Sequence, residues 1–325
     1  MKAAVYDRYG SPDVVAIREI EKPVPEDDEV LVEIRAASVN TLDWRMMRGT
    51  PFFARAIVGW RKPKNNRLGS DVAGRVESVG GNVTRFKPGD EVFGVCRGAF
   101  AEYACAAEGK LATKPAGVSF EQAAALPVAG TTALQGLRDR GRLRAGEQVA
   151  VDGASGGVGT FAVQIARFLG GEVTAICRAR HGEAAASMGA ARVVDYTRED
   201  FTRERHRYDL IFGANAHHSI FHYRRALREN GRYVMAGAGG PEMLQGIFLG
   251  PVLSRIGSRK MRIVMAKIEA KDLALLGQLV AEGKIVPSIE RRYPLSGVRD
   301  ALAYIEEGHA RGKIAITVGG DAVKG

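Results

Sequence analysis

A glycine-rich segment carries the clearest chemical signal in the sequence. Residues 149–159 read VAVDGASGGVG, and three small residues keep the spacing of the dinucleotide-binding pattern, with alanine at its first position. Small residues let a strand turn sharply into a helix while the backbone approaches a pyrophosphate, and the helix start supplies N–H donors. The alternative is a tight turn that binds no ligand. The segment predicts a cofactor site formed by Ala154, Ser155, Gly156, Gly157, Val158 and Gly159.

The end of the next apolar run indicates which dinucleotide binds. NAD sites usually carry Asp or Glu there, bonded to the ribose 2′-hydroxyl. Here residues 176–181 read ICRARH, and the first acid is Glu183. The guanidinium groups of Arg178 and Arg180 match phosphate geometry, so we expect them to bind a 2′-phosphate and the cofactor to be NADPH. The alternative is that one of the two arginines only solvates the start of a helix.

Two kinds of hydrophobic pattern predict the strands and helices that position these residues. Short strand-like runs with turn signals between them predict a partly closed β-barrel, at 3–6, 30–36, 73–79 and 91–95. Strands that alternate with helices then predict a parallel sheet, with strands at 148–152, 172–177, 192–194, 208–212 and 232–236 and helices at 160–169 and 183–188. The tail adds helices at 271–282 and 298–307 and a strand at 314–318.

These patterns predict an α/β protein of two domains, which suits a chain of 325 residues. A partly open β-barrel with the catalytic residues is expected over 1–122 and 267–325, because the tail returns to the pattern of the first segment. A doubly wound parallel-sheet domain that binds NADP(H) is expected over 123–266.

Composition narrows the function classes. The three cysteines, Cys96, Cys105 and Cys177, form no paired framework, which favours a reducing compartment. The N-terminus lacks the apolar core of a signal peptide and no run is long enough for a transmembrane helix, so we expect a soluble, cytoplasmic protein. The net charge of +10 indicates either an acidic partner or simply a basic, soluble surface.

Five further segments resemble the medium-chain dehydrogenase/reductase superfamily, and in particular its zinc-free, quinone oxidoreductase-like (zeta-crystallin-like) members. The segments follow the order and spacing of that family over essentially the whole chain. They are LGSDVAGRVESVG at 68–80, FKPGDEVFG at 86–94, LPVAGTTAL at 126–134, VVDY at 193–196 and GHARGK at 308–313.

The resemblance implies a GroES-like catalytic domain, a Rossmann domain, an active site in the cleft between them, and hydride transfer from a nicotinamide. It also implies roles for single residues. Tyr196 matches a tyrosine near the adenosine phosphate, although a half-buried strand tyrosine is the alternative. Further residues are expected to bind the cofactor, most of them on its nicotinamide side: Thr131, Asn215, Ala236, Gly237 and Lys313.

The sequence departs from the zinc alcohol dehydrogenases of this superfamily. Those enzymes carry a cysteine where this chain has Asn40, and His-Glu where it has Ser70 and Asp71. Catalytic zinc needs about three Cys, His or carboxylate ligands, which Asn40 and Ser70 do not supply. The four-cysteine lobe of a structural zinc is missing as well. We therefore expect no metal.

Without zinc, the protein must stabilise the negative charge that develops on the oxygen of the acceptor. Asn40 resembles the polar residue near the nicotinamide in zinc-free members, and its amide is expected to donate to a carbonyl oxygen. Asp43 is expected to orient Asn40 or to hold a water; the alternatives are a helix cap or a salt bridge with Arg45 or Arg48. Quinones and α,β-unsaturated ketones suit such a site, because conjugation spreads the charge.

The sequence is also compatible with other functions. Within enzymes, the rival is a reductase of alkenals or enoyl thioesters. Outside enzymes, the rival is a non-catalytic, NADPH-sensing protein that binds RNA or a lipid surface through residues 44–68, where seven Lys/Arg and no acid surround Phe52, Phe53 and Trp60. The apolar, basic segment 243–261 suits substrate cover, subunit contact or membrane contact. We expect a homodimer, no specific nucleic acid and a small hydrophobic carbonyl or quinone substrate.

Overall fold

A computed structural model gives the fold and describes residues 1–50, 52, 55–308 and 310–319. Phe53 of the basic segment and His309 of the C-terminal motif lie outside the described residues. The chain divides into two compact units. The first comprises Met1–Val128 and the described residues from Ile268 onward, and the second comprises Ala129–Lys267.

The strands are β1 (Lys2–Val5), β2 (Ala16–Glu19), β3 (Glu29–Val39), β4 (Asp71–Val79), β5 (Glu91–Val95), β6 (Tyr103–Ala107), β7 (Leu111–Thr113), β8 (Gln148–Asp152), β9 (Glu172–Cys177), β10 (Arg192–Asp195), β11 (Tyr208–Gly213), β12 (Leu227–Met235), β13 (Lys260–Ile263), β14 (Ile289–Pro294) and β15 (Lys313–Thr317).

The helices are α1 (Thr41–Arg48), α2 (Arg55–Val58), α3 (Phe120–Ala124), α4 (Pro127–Gln135), α5 (Gly157–Phe168), α6 (Gly182–Ser187), α7 (Ile220–Ala226), α8 (Gly240–Arg255), α9 (Ala270–Ala281) and α10 (Val298–Glu306). A π-helical turn, Gly136–Arg140, continues α4.

A mixed sheet with the order β14-β15-β3-β4-β5-β7 organises the first unit, and β6 also pairs with β3. Most residues of the central strand β3 are buried, and only Glu29, Glu33 and Arg35 are partly exposed. Its carboxyl end carries the site. The register pairs Ser38 with Asp71 of β4, and Val39 with Ile314 of β15. Three strands that are distant in sequence therefore place Ser38, Asp71 and Lys313 side by side.

The second unit is a six-stranded parallel sheet with the order β10-β9-β8-β11-β12-β13. Numbered within the unit, this order is 3-2-1-4-5-6, that of a Rossmann sheet, so the predicted doubly wound α/β fold is confirmed. The order reverses between β8 and β11, and the register pairs Asp152 with Gly213 at their carboxyl ends. Ligands of such sheets bind at this reversal, outside the carboxyl ends of the strands.

Several element bounds differ from the sequence pattern. Helix α5 begins at Gly157 and not at 160, so two glycines of low helix propensity lie in its first turn. Strand β12 begins at Leu227, ahead of the apolar run that indicates it. Helices α1 and α4 were not predicted, because their apolar residues are few or lack a clear helical period. Gly49 ends α1 in the left-handed conformation, with φ of 63°.

The two segments with open roles are partly helical. In the described part of residues 44–68, Trp44 packs against the core of the first unit, while Phe52 and Trp60 contact each other edge to face and stay exposed. Segment 243–261 lies mostly in α8, whose exposed apolar residues include Phe248 and Val252. None of the described helices is long and apolar enough to cross a membrane.

Candidate catalytic and cofactor sites

Asp71 is the centre of a buried polar cluster in the first unit. One carboxylate oxygen, Oδ2, accepts hydrogen bonds from Ser38 Oγ at 2.8 Å, Asn40 Nδ2 at 2.9 Å and Lys313 Nζ at 3.3 Å. The other, Oδ1, accepts from the backbone N–H of Val128 at 3.0 Å. Since buried charges cost free energy unless they are paired and hydrogen-bonded, these contacts explain how Asp71 and Lys313 coexist in the interior.

Asn40 lies between the two charges of this cluster. Its Oδ1 accepts a hydrogen bond from Lys313 Nζ at 2.6 Å, while its Nδ2 donates to Asp71. A cation on the oxygen side and an anion on the nitrogen side fix the amide in one orientation. The carbonyl oxygen of Val39 accepts from Lys313 as well, at 3.3 Å. The amide keeps one N–H hydrogen with which it can donate to a further group.

Asp43 caps the first turn of α1. Its Oδ2 accepts from the backbone N–H of Asn40 at 2.7 Å, and Ser70 Oγ donates to its Oδ1 at 3.4 Å. This is the helix-cap geometry, and it also holds the Asn40 backbone in place. The pKa of Asp43 is raised to about 7, mainly by burial and also by the nearby Asp71, while the Asn40 N–H, Lys313 and Ser70 act against the rise.

The glycine-rich turn of the second unit is shaped by close backbone contacts. Gly153 has φ of 81°, a conformation that favours glycine. A Cβ on Gly159 would lie 2.0 Å from the Gly153 carbonyl oxygen, so a side chain there is excluded. Ala154 is buried and donates its N–H to Ile176 O at 3.1 Å. Ser155, Gly156, Gly157 and Val158 are partly exposed, and helix α5 starts here with backbone N–H groups that lack intrahelical acceptors.

The end of β9 presents two arginines and a tyrosine. Arg178 Nε donates to Tyr196 Oη at 2.8 Å, which leaves the two terminal nitrogens of its guanidinium for another acceptor. Arg180 is exposed and donates to His181 Nε2 at 3.1 Å. Asp195, which the sheet register pairs with Cys177, accepts from the N–H and the hydroxyl of Thr197, so its own loop engages it. The structure therefore brings Arg178 and Tyr196 together.

The remaining predicted cofactor residues fall into three places. Asn215, Ala236 and Gly237 lie at the ends of β11 and β12, where Ala236 N donates to Gly213 O at 2.8 Å. Thr131 is fully buried in α4, and its Oγ1 has no hydrogen-bond partner within the described structure. Lys313 belongs to the other unit, where Asn40, Asp71 and Val39 engage its ammonium.

Comparison with similar proteins identifies the family of this chain. A "Chloroplast envelope quinone oxidoreductase homolog" of Arabidopsis thaliana is 34% identical, over 97% of this chain and 98% of the relative. The chain belongs to the medium-chain dehydrogenase/reductase superfamily, among its quinone oxidoreductase-like members. It is an oxidoreductase. The recognition made from the sequence motifs is thus confirmed.

Other comparisons agree with this family. Residues 26–116 match the family described as "Alcohol dehydrogenase GroES-like domain", which confirms the GroES-like fold of the first unit, and residues 188–316 match "Zinc-binding dehydrogenase". An "NADPH-dependent alkenal/one oxidoreductase, chloroplastic" of Arabidopsis thaliana is 31% identical, over 97% of this chain and 79% of the relative. The solved quinone oxidoreductase from Coxiella burnetii has a TM-score of 0.86 at 27% identity, and covers 98% of this chain and 99% of its own.

Sequence reasoning missed a second buried acid of this oxidoreductase. Asp152, at the end of β8, accepts a hydrogen bond from Tyr223 Oη at 2.6 Å, and its Oδ1 has no hydrogen-bond partner among the described residues. Burial raises its pKa to about 6, while His217 at 3.7 Å and Tyr223 act against the rise. The available signal is an acid at one end of an apolar strand: Asp152 is the last residue of β8, and Asp71 is the first residue of β4.

The histidine rings near this acid contact one another and aromatic side chains. His217 lies tilted against Tyr196 and against His218, and His218 lies edge to face against Phe201. Among the described residues, no group of three or more His, Cys, Asp or Glu side chains is arranged to hold a metal ion.

Proposed function

We propose that this protein is an NADPH-dependent oxidoreductase that transfers hydride, without zinc, to a quinone or an α,β-unsaturated carbonyl. The observation that carries the proposal is the amide of Asn40, which the buried pair Lys313 and Asp71 holds in one orientation. A fixed hydrogen-bond donor of this kind suits an acceptor on which negative charge develops during reduction.

The second unit fits NADPH. In the turn at Gly153–Gly159, a Cβ on Gly159 would lie 2.0 Å from the Gly153 carbonyl oxygen, which suits a backbone that approaches a pyrophosphate closely, and the start of α5 supplies N–H donors. Arg178 and Arg180 offer cationic forks for a 2′-phosphate. The buried, unpartnered hydroxyl of Thr131 suits contact with a ligand, because such a group costs free energy if it stays unbonded. When bound, the nicotinamide supplies the hydride.

The residues of the first unit act on the acceptor. We infer that the free N–H of Asn40 donates to the carbonyl oxygen that gains charge. The ammonium of Lys313 withdraws electron density from the amide oxygen at 2.6 Å, which makes the amide a stronger donor, since linked hydrogen bonds polarise one another. Lys313 and Asp71 are thus positioning residues, and Asn40 is the catalytic residue in this proposal.

Proton delivery needs no side chain of this cluster. Both oxygens of Asp43 are engaged, one by the Asn40 N–H and one by Ser70 Oγ, so Asp43 serves to position Asn40. A reduced quinone leaves as an anion that takes its proton from solvent. We assign no general acid to the reaction.

Enones and alkenals are the second candidate class of substrate. The chain resembles both relatives named for quinones and a relative named for alkenals and enones, at 34% and 31% identity. The same Asn40 donor serves either class, since each develops charge on one carbonyl oxygen during conjugate reduction.

We further infer a cytoplasmic homodimer. Cys96, Cys105 and Cys177 are all free, which suits a reducing compartment. Strand β13 is an edge of the parallel sheet, and helix α8 leaves Phe248 about two-thirds exposed. Open sheet edges and exposed apolar surfaces are typical of subunit contacts. Light scattering after size exclusion should give a dimer, and Phe248→Glu should weaken it; a monomeric wild-type protein would contradict this assembly.

The deciding experiment is NADPH and NADH oxidation by protein that has been treated with a chelator and shown to be metal-free. 9,10-Phenanthrenequinone and a simple enone serve as acceptors. We expect fast turnover with NADPH, slower turnover with NADH, and no gain on adding Zn²⁺. Activity that appears only with zinc would refute the zinc-free reaction, and failure to bind NADPH would refute the cofactor.

A further inference from the structure

Two loops and a helix of the second unit build a basic cavity of about 330 Å³. Its lining residues come from the segment before β11, from α7 and from the segment before β13. They are Arg205, His206, Phe221, Arg224, Arg225 and Arg259, and we call this site the arginine cavity. Phe221 is half exposed and contributes an aromatic side chain to the lining.

The arginine cavity is separate from the proposed cofactor site. All strands of this sheet are parallel, and the lining loops precede β11 and β13, so they lie at the amino ends of the strands. The glycine-rich turn follows β8 and lies at the carboxyl ends. The six residues of β11, from Tyr208 to Gly213, separate the two edges by roughly 17–20 Å.

None of the four arginines forms an ion pair with a carboxylate of the described chain. Three of them are held by backbone oxygens: Arg224 by Ile256 at 2.9 Å, Arg225 by Thr202 at 3.0 Å and Arg259 by Arg228 at 3.2 Å. Arg259 also donates to His206 Nδ1 at 2.8 Å. Arg205 is exposed and makes no hydrogen bond or ion pair within the described structure.

One buried nitrogen of the cavity lacks an acceptor. Arg224 Nε has no hydrogen-bond partner among the described residues, although it is shielded from solvent. A buried donor of a charged group that stays unbonded is costly, so it points to an acceptor from outside the chain.

Ordinary structural roles explain only part of this cluster. Arg224 and Arg225 lie in the last turn of α7, where positive side chains favour the helix dipole, but Arg205 and Arg259 are in loops. A neighbouring basic cavity contains Arg232, which bonds to both oxygens of Glu147. Among the residues that the structure describes, no carboxylate lines the arginine cavity. Four guanidinium groups around one space therefore produce a strong positive potential that the chain does not neutralise.

We propose that the arginine cavity binds a small anion with more than one phosphoryl group, such as the diphosphate or triphosphate part of a free metabolite. Guanidinium forks match phosphoryl oxygens in pairs, and several arginines match several charges. Backbone oxygens hold three of the side chains before any ligand arrives, so binding costs little further side-chain entropy. The cavity volume lies at the small end of the range of small-molecule sites. The site does not depend on the function proposed above.

Inorganic pyrophosphate is the probe that tests this site. It is titrated calorimetrically, at 150 mM salt, into protein saturated with NADPH, so that the glycine-rich turn is already occupied. If the protein does not bind NADPH, the same titration is done without it, and the two proposals are judged separately. We expect one saturable site for pyrophosphate and much weaker binding of citrate, which has similar charge but no phosphoryl geometry.

Two exposed arginines of one loop make a matched pair of variants. Arg205→Gln removes a cavity residue that has no partner in the fold, and we expect pyrophosphate to bind about tenfold more weakly or worse. Arg203→Gln removes the same charge two residues away, outside the cavity, and should change binding less than about twofold. Thermal unfolding midpoints show that both variants fold.

Other outcomes overturn the proposal. Equal losses of pyrophosphate affinity in the two variants would mean that binding responds only to the general charge of the surface. Absence of saturable pyrophosphate binding would remove the small-molecule site, and binding of phosphatidylglycerol vesicles in its place would assign the basic edge to a lipid surface.

Discussion

The discrimination between NADPH and NADH gives the sharpest test of the cofactor site. The perturbation is Arg178→Ala together with Arg180→Ala. Arg178 is fixed by its bond to Tyr196 and keeps two terminal nitrogens free, while Arg180 is exposed. NADPH differs from NADH only by the 2′-phosphate, so any contact that these arginines make with that group is lost for NADPH alone.

The expected magnitude follows from the number and exposure of the contacts. A hydrogen bond to a charged group contributes about 1.5–3 kcal/mol, and the lower end applies to partly exposed arginines. Two such contacts amount to about 3 kcal/mol, which is roughly a 100-fold rise in the Kd of NADPH. The Kd of NADH should change less than about threefold, since its 2′-hydroxyl carries no charge.

The assay is calorimetric titration of both cofactors at fixed ionic strength. Arg198→Ala serves as the control: its side chain is 84% exposed and it lies two residues from Tyr196, so it removes an equal charge nearby. An Arg198→Ala loss as large as that of the double variant would mean long-range attraction. Equal losses for NADPH and NADH in the double variant would refute the 2′-phosphate assignment.

Three further perturbations test the remaining parts of the site. Asn40→Ala should lower kcat about 100-fold with an unchanged NADPH Kd, as expected for a lost oxyanion donor. The control Asn82→Ala, at an exposed position, should leave both values unchanged. A normal kcat in Asn40→Ala would exclude the proposed role. Burial raises the pKa of Asp43 to about 7, so the folded state favours the protonated carboxyl group more than the unfolded state does. The free energy of unfolding should therefore fall as pH rises from about 4 through 7, by up to about 4 kcal/mol from this group. Urea unfolding at several pH values should show that Asp43→Asn removes this part of the slope, and an unchanged slope would contradict the burial argument. Gly159→Ala puts a methyl group 2.0 Å from a backbone oxygen and should weaken NADPH binding at least tenfold and lower Tm, whereas Gly240→Ala, with nothing within 4 Å, should do neither.

The elements that the sequence predicted are those whose pattern is local. The apolar runs of β8 and β9 and the small residues between them specify a strand, a turn and a helix over about thirty residues, and both strand bounds agree with the structure. The pairing of Arg178 with Tyr196 follows from the same local geometry, because β9 and β10 are neighbours in the sheet. The start of α5 was misplaced, since packing in the tight turn outweighs the poor helix propensity of glycine.

The clusters of charge were not predictable in the same way. Lys313 contacts Asp71 across 242 residues of chain, and the contact depends on the strand order β15-β3-β4, which no local pattern specifies. The resemblance to the family suggested a cofactor role for Lys313, whereas the geometry shows an ammonium that three groups of the first unit engage. The arginine cavity combines residues from two loops and from α7, three segments that are separate in the sequence.

In the proposed reaction, the cluster around Asn40 takes the place of a metal ligand set. A metal ion would polarise a carbonyl oxygen directly. In the proposed site, the positive charge of Lys313 contacts the Asn40 amide oxygen, and the amide N–H lies between that charge and the acceptor. The negative charge of Asp71 balances it, and each partner is buried with its hydrogen bonds made. The net charge of the pair is zero, so the acceptor meets an oriented dipole and not a bare cation. Such a dipole favours a substrate whose developing charge is spread by conjugation, which is why we propose quinones and enones over simple ketones.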